Sequence, residues 1–273
     1  MFFDQIETGS FGELTPYPDS LHVLSWNINR GLQFDAIVEF LATEDADLIL
    51  LQESDFNARR TAYRNVAKEI SAKLRMHYAF GIEFQELSQH DQSAAFHGQA
   101  TLCRWPLVEN RLLRFFRQSR FWQPHRLIPN LPIFQRRVGG RMALVTCISF
   151  GGTTLAIYNL HLESRGKDDL RKSQILELLA DVDQFWDGMP VVIAGDFNFD
   201  VTDNSVRPSL VGFAIRNPFN PNRARTTAPH SSTRNSALDC ILIKGPLIAD
   251  SAMVHTTVCA SDHFPLSVTL KLT

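Results

Sequence analysis

Residues able to ligate a cation, hold a phosphate or move a proton stand along this chain wherever an apolar run stops. Asn27 and Asn29 follow VLSW, Glu53 follows LILLQ, and Asn159 and His161 close LAIYNLH. Asp196 and Asn198 follow VVIAG, Asp239 opens DCILI, and Asp262 and His263 precede FPLSVTL. A rigid sheet fixes the geometry of groups carried at its strand ends, so these could converge on one pocket. Oxygen donors without a cysteine partner suit a hard cation such as Mg²⁺ or Mn²⁺, which takes one or two carboxylates plus water and substrate phosphate. A histidine beside a carboxylate can be oriented, charged and turned on a developing oxyanion. Together the residue types describe hydrolysis of a phosphate ester.

Singly, each has an ordinary reading. An aspartate after an apolar strand caps a helix or forms a turn, His161 in an apolar run is a satisfied core histidine, and Asp239 is a hydrogen-bond anchor. SDHFPL reads as a polar turn before an edge strand, because proline fits a strand start. The joint occurrence favours chemistry.

The elements that would carry these groups follow from apolar spacing. LHVLSWNI reads as a buried strand, FDAIVEFLATEDA as a helix through Phe34, Ile37, Val38 and Leu41, and ADLILLQES as a second strand. A helix is predicted over about Asn57 to Leu74. Strands then dominate: HYAFGIEF, QATLCRWPL, RMALVTCISF and TTLAIYNLHL, the last two joined as a hairpin through Gly151 and Gly152. A long helix is predicted from Asp168 to Trp186, then VVIAGDF, a polar stretch from Asn204 to Asn235, and the strands ALDCILIKG and PLSVTLKL. Residues 1–20 lack periodicity and read as a loosely ordered leader, with 21–273 as one domain.

The 273 residues are 44% hydrophobic and 21% charged, ordinary for a folded, water-soluble chain. The start has no basic region followed by an apolar run, and no segment approaches the ~20 apolar residues of a membrane span. Cys103, Cys147, Cys240 and Cys259 lie far apart and read as reduced residues, which points to the cytoplasm. The net charge of −2 is segregated: Asn110 to Leu162 holds eight arginines and no acid, leaving 19 Lys and Arg against 29 Asp and Glu elsewhere.

In order, LSWNINRG, LILLQES, HGQATLCRWPL, IYNLHLES, VVIAGDFNFD, ALDCILIKG and SDHFPLSVTL resemble the endonuclease/exonuclease/phosphatase (DNase I-like) superfamily, over about Leu21 to Leu272. The resemblance implies a four-layer α/β/β/α sandwich of two mixed β-sheets flanked by helices, with the active site at one open edge. It implies Glu53 as principal metal ligand with Asn27 and Asp262, and Mg²⁺ or Mn²⁺ as cofactor. His161 would bind the scissile phosphate, Asp196 and Asn198 would orient water and phosphoryl oxygens, and His263, oriented by Asp239, would act on the transition state. Whether Asp196 or His263 takes the water's proton stays open. Asn29 stands where abasic-site endonucleases carry an acid, and GQATLC replaces the usual GNAILS. Glu83 matches an active-site-edge acid of DNase I-like relatives by a loose alignment.

The acid-free stretch from Asn110 interleaves arginine with Phe115, Phe116, Phe121, Trp122 and Phe134, a pattern suited to phosphate pairing and base stacking. Arg120, Trp122, Arg126 and Arg137 are its candidate substrate contacts. A second acid-free segment, Asn204 to Leu238, adds Arg207, Arg216, Arg223, Arg225 and Arg234. The substrate expected is a phosphate ester, DNA or RNA first, with a phospholipid or inositol phosphate as alternative; arginines with aromatics also suit a headgroup layer.

Overall fold

The structure is a computed structural model that describes residues 2–13, 15–89, 93–122, 135–219, 225–229 and 236–273. Among the described residues thirteen strands form two sheets. In chain order they are β1 (Ile6–Ser10), β2 (Leu21–Arg30), β3 (Leu48–Phe56), β4 (His77–Glu86), β5 (Ala95–Cys103), β6 (Glu109–Arg114), β7 (Arg137–Gly139), β8 (Met142–Phe150), β9 (Thr153–His161), β10 (Val191–Asp196), β11 (Asp239–Lys244), β12 (Leu247–Val254) and β13 (Leu266–Leu272). The helices are α1 (Phe34–Glu44), α2 (Val66–Leu74), α3 (Asp168–Trp186) and the short α4 (Arg207–Gly212).

The first sheet runs β1-β4-β5-β3-β2-β13-β12, with β7 also on β4; the second runs β11-β10-β9-β8-β6. Both are mixed, since β2–β3 and β9–β10 are parallel pairs. The sheets meet face to face through Val23, Leu48, Leu50, Ile148, Ile157, Val192 and Ile241, all nearly sealed from solvent. The outer face of the first packs on α1 and α2 through Ile37, Leu41 and Ile70, and that of the second on α3 through Ile175, Leu178 and Val182. This is the expected four-layer α/β/β/α sandwich.

Buried polar groups tie the two sheets behind the open edge. Asn159 on β9 donates to the backbone carbonyls of Leu51 (3.1 Å) and Ala100 (2.8 Å), and its side-chain oxygen accepts from Gln52 at 2.8 Å. Asn159 therefore clamps strand to strand. A buried network of this kind fixes one arrangement of the layers, because any shift leaves more amide groups unpaired; Gln52 Oε1 has no partner among the described residues.

Several expectations need correction. Residues 1–20 are not simply a loose leader: Ile6–Ser10 adds β1 antiparallel to β4, and the Tyr78 hydroxyl donates to Glu7 at 2.5 Å. The helix placed over Asn57 to Leu74 starts only at Val66, where the Asn65 side chain accepts from the Lys68 N–H at 3.0 Å. Upstream, Ala62 and Tyr63 have left-handed φ values of 52° and 60°, which no α-helix admits. The α3 helix and the β8–β9 hairpin stand as read, with Gly151 and Gly152 both at positive φ. Cys103, Cys147 and Cys240 are buried, Cys259 is exposed, and all four are free. No helix among the described residues is long and apolar enough to cross a membrane.

Gly195 sits one residue before Asp196 at φ 144°, where a Cβ would lie 1.9 Å from the Leu160 carbonyl oxygen on β9. Backbone cannot retreat from such a contact without breaking the parallel pairing that carries His161. Gly195→Ala should therefore destabilise the fold by about 4 kcal/mol or more, checked by denaturant unfolding.

Candidate active site

Strand register assembles the centre of the site. On three neighbouring strands of the second sheet, His161 pairs with Asp196 and Asp196 with Asp239, so β9, β10 and β11 present one row across the open edge. The first sheet faces it with β2 and β3, where Asn27 pairs with Gln52 and Glu53 follows. The loop before β13 brings in His263. Trp26 Nε1 donates to the His263 carbonyl at 2.8 Å, and the Ser261 hydroxyl donates to the Asn27 carbonyl at 2.7 Å.

Asp196 is the hub. Its Oδ2 accepts from Asn27 Nδ2 at 3.0 Å and lies 3.5 Å from His161 Nε2 and 3.8 Å from His263 Nε2. Its Oδ1 accepts from the Asn198 N–H at 2.8 Å, while Asn198 Nδ2 donates to the Leu162 carbonyl at 3.2 Å. Behind His263, Nδ1 donates to Asp239 Oδ2 at 2.8 Å. Burial alone would lower the His263 pKa. Asp239, Asp196 and Asp262 outweigh it and push the imidazole up to about 10. Asp200 is an exposed loop residue, and Phe197 and Phe199 turn away into the core.

Backbone strain collects here. Asn29, Arg30, Glu53 and Asn198 all have left-handed φ, at 43°, 69°, 56° and 48°. Non-glycine residues adopt this region at a cost and cluster at functional sites when they do.

Glu53 differs from every other acid in the site. Among the described residues its carboxylate has no hydrogen bond and no ion pair, although it is largely enclosed. Burial would raise its pKa, but His97, His161, Arg30 and His263 together hold it well below the usual carboxylate range. Its oxygens are thus kept charged by groups that, among the described residues, do not bond to them, and they remain open to a cation. Asn27 Oδ1 accepts from the Asn29 N–H at 3.1 Å and keeps a second lone pair. This donor set fits a hard divalent cation. The group whose ligand atoms already converge is a different one, Asp196, Asp239 and His263, but there Asp239 and His263 are spent on each other. Asp262 is half-buried, and its carboxylate meets the Ser261 hydroxyl at 3.5 Å.

Among the described residues, several arginines and Trp122 of the acid-free stretch are engaged within the fold. Arg111 pairs with Asp181 at 2.5 Å on the α3 side, and Arg114 donates to the backbone carbonyls of Phe3 and Ile82. Arg137 pairs with Glu86 at 3.1 Å and covers the Phe84 ring. Trp122 is 2% exposed, with Nε1 donating to Glu163 at 2.7 Å and its ring packed by Phe84, Phe121 and Arg141, so it offers no face for stacking. Arg216 donates to the carbonyls of Gly245 and Leu247, at the opposite end of β11 from Asp239. These guanidiniums found acids and carbonyls remote in sequence. Arg120 is exposed, as are Arg117 and Arg165. Arg126, Phe134, Arg223 and Arg234 lie outside the described residues.

Sequence reading missed most of a second buried network beside Glu53, of which it named only Glu83. Glu83 is fully buried, paired with Arg141 and 3.5 Å from His161 Nδ1; burial opposes its ionisation, but Arg141 and His161 hold its pKa at about 2. His97 donates from Nδ1 to Asp55 at 2.9 Å, and Arg60 clamps the same carboxylate at 2.6 and 2.8 Å. Glu83 was reachable only by a loose alignment. Arg141, His97 and Asp55 carried no signal beyond a polar residue in a strand.

The family described as Endonuclease/Exonuclease/phosphatase matches residues 24–263, a span that holds every strand-end residue named above. The chain belongs to this family. Its members are phosphoester hydrolases, and so is this protein. No sequence match was found among curated proteins. Solved structures share the fold. An endonuclease/exonuclease/phosphatase from Beutenbergia cavernae is 17% identical with a TM-score of 0.69, covering 93% of this chain and 72% of its own. The human Nocturnin catalytic domain, with bound sulfate, is 16% identical with a TM-score of 0.65 over 98% of both chains. A mannosyl-6-phosphatase from Bacteroides thetaiotaomicron is 17% identical with a TM-score of 0.64, covering 92% of this chain and 99% of its own.

Proposed function

We propose that the protein is a divalent-metal-dependent phosphoesterase whose metal is held by Glu53, with Asn27 and Asp262 beside it. The observation that carries this is the enclosed, ionised Glu53 carboxylate, which among the described residues has no hydrogen bond and no ion pair. When bound, Mg²⁺ or Mn²⁺ there supplies charge against the phosphoryl oxygens.

The remaining steps belong to side chains. His161 and the Asn198 amide donate toward phosphoryl oxygens, where negative charge builds in the transition state. Asp196, central to the row, orients the attacking water and takes its proton. His263 is held protonated by Asp239, so it suits donation to the leaving oxygen rather than acceptance from water.

Nucleic acid phosphodiesters remain the first substrate to test, supported by the exposed Arg117, Arg120 and Arg165. A phosphorylated small molecule or lipid headgroup is the second reading. It is favoured by the number of arginines engaged within the fold, and a structural relative is named a mannosyl-6-phosphatase. Protein stripped with EDTA should lose hydrolysis of bis-p-nitrophenyl phosphate and regain it with Mn²⁺ or Mg²⁺. The same assay across single- and double-stranded DNA, RNA, sphingomyelin and inositol phosphates separates the substrates. Full activity in excess EDTA would overturn the metal assignment.

A further inference from the structure

His97 lies on β5 opposite Asp55 in the β3–β5 register. On β5 it shares a face with Gln99 and Cys103, and that face looks toward the second sheet: Gln99 Nε2 reaches the Met142 carbonyl at 3.4 Å, and Cys103 is in the core between the sheets. His97 is the member of that row at the strand's start, level with the end of β3 and therefore at the open edge beside Glu53.

Its ring is immobilised. Nδ1 donates to Asp55, Arg60 clamps Asp55 through two nitrogens, and Phe84 stacks on the imidazole with centroids 4.5 Å apart and planes 25° from parallel. Asp55 itself is sealed from solvent. This repeats the His263–Asp239 arrangement, whose histidine precedes β13, on the other side of β3 and β2 in the same sheet. One atom of the assembly is unused: Nε2 of His97 has no hydrogen-bond partner among the described residues.

Nε2 is not among the buried side-chain atoms that lack a partner, so this nitrogen reaches the cleft rather than being sealed in the core. Here carboxylate, guanidinium and aromatic ring all serve to aim one nitrogen. Of the basic groups that act on the Glu53 carboxylate, His97 acts most strongly, ahead of His161, Arg30 and His263, which places it beside that carboxylate.

We infer that His97 is a further substrate contact of this site, its Nε2 donating to a phosphoryl oxygen on the side of Glu53 away from His263. The inference rests on the proposed phosphoesterase reading. It adds a third histidine to the phosphate cradle and gives the Asp55–Arg60 pair a function, which is to hold that histidine in place.

The test uses the full chain with Mn²⁺, bis-p-nitrophenyl phosphate as substrate and inorganic phosphate as inhibitor and calorimetric ligand. In His97→Asn the amide nitrogen takes the place of Nδ1 and keeps the bond to Asp55, while Nε2 is lost. The expected result is an unchanged melting temperature, kcat/KM lower by about tenfold or more, and phosphate binding weakened by a similar factor. In His97→Gln the amide nitrogen takes the place of Nε2 and the Asp55 bond is lost, so phosphate binding should be kept better than in His97→Asn although the melting temperature falls. Wild-type kinetics and phosphate binding in His97→Asn would overturn the inference, leaving His97 a structural anchor. Should His97→Asn not fold, phosphate binding by His97→Gln as weak as that of a His97→Phe variant does the same. Failure of the parent reading looks different: wild-type protein then hydrolyses no phosphate ester, while calorimetry still reports whether His97 contacts phosphate.

Discussion

Glu53→Gln should cut metal-dependent kcat/KM by about three orders of magnitude, several kcal/mol of transition-state stabilisation, and abolish the rise in melting temperature that Mn²⁺ gives the wild type. In the free protein His97, His161, Arg30 and His263 outweigh burial and keep the carboxylate ionised, while among the described residues it has no hydrogen bond and no ion pair. Glutamine keeps the shape and removes the charge. The wild type alone then gains the stabilisation of a ligand that binds only the folded state. Thermal melts of both proteins, with EDTA and with excess Mn²⁺, check this without any assay of turnover. A Mn²⁺-induced rise in Glu53→Gln as large as that of the wild type would sink the metal assignment. The left-handed φ of 56° at Glu53 is common to both proteins and cancels in the comparison.

The sequence carried the central strands and their terminal residues plainly, because buried strands of a two-sheet sandwich are long apolar runs and the polar residue ending each run stands out. That is why Asn27, Glu53, His161, Asp196, Asp239 and His263 were legible. The edges were not. β1, β6, β7 and β12 are half-buried or exposed, so they mix charge with apolar residues and lose the period of two. For the same reason Asn110 to Arg114 read as part of a basic contact loop, whereas it is an edge strand on β8 whose arginines are tied to Asp181 and to backbone. Ion pairing is a tertiary property. Nothing near Arg137 or Arg141 in the chain announces Glu86 or Glu83, some fifty residues away. His97 was invisible for a related reason: FHGQATL gives no hint that Asp55 stands opposite on the neighbouring strand. Asn159 was the reverse case, a residue with the look of a ligand that turned out to join the sheets.

Asp239→Asn should lower kcat by about 10²- to 10³-fold with KM little changed, the range for loss of a positioned acid or base. Asp239 touches the reaction only through His263, so its removal leaves metal, phosphate contacts and the Asp196 row in place. What changes is the charge behind the ring. With the carboxylate gone, only Asp196 and Asp262 still oppose burial and the His263 pKa drops from about 10. This has a signature in stability that a merely structural role would not give. A histidine whose folded pKa is raised from 6.5 to about 10 contributes stability that is full below pH 6.5 and is lost as pH rises through 10. Metal-free wild type should therefore lose stability steadily between pH 7 and pH 10, and Asp239→Asn should lose less across the same window. Urea midpoints at half-unit pH intervals decide it. Parallel curves for the two proteins would mean that His263 is not held charged by Asp239, and proton donation would have to be moved from His263 to another group in the row.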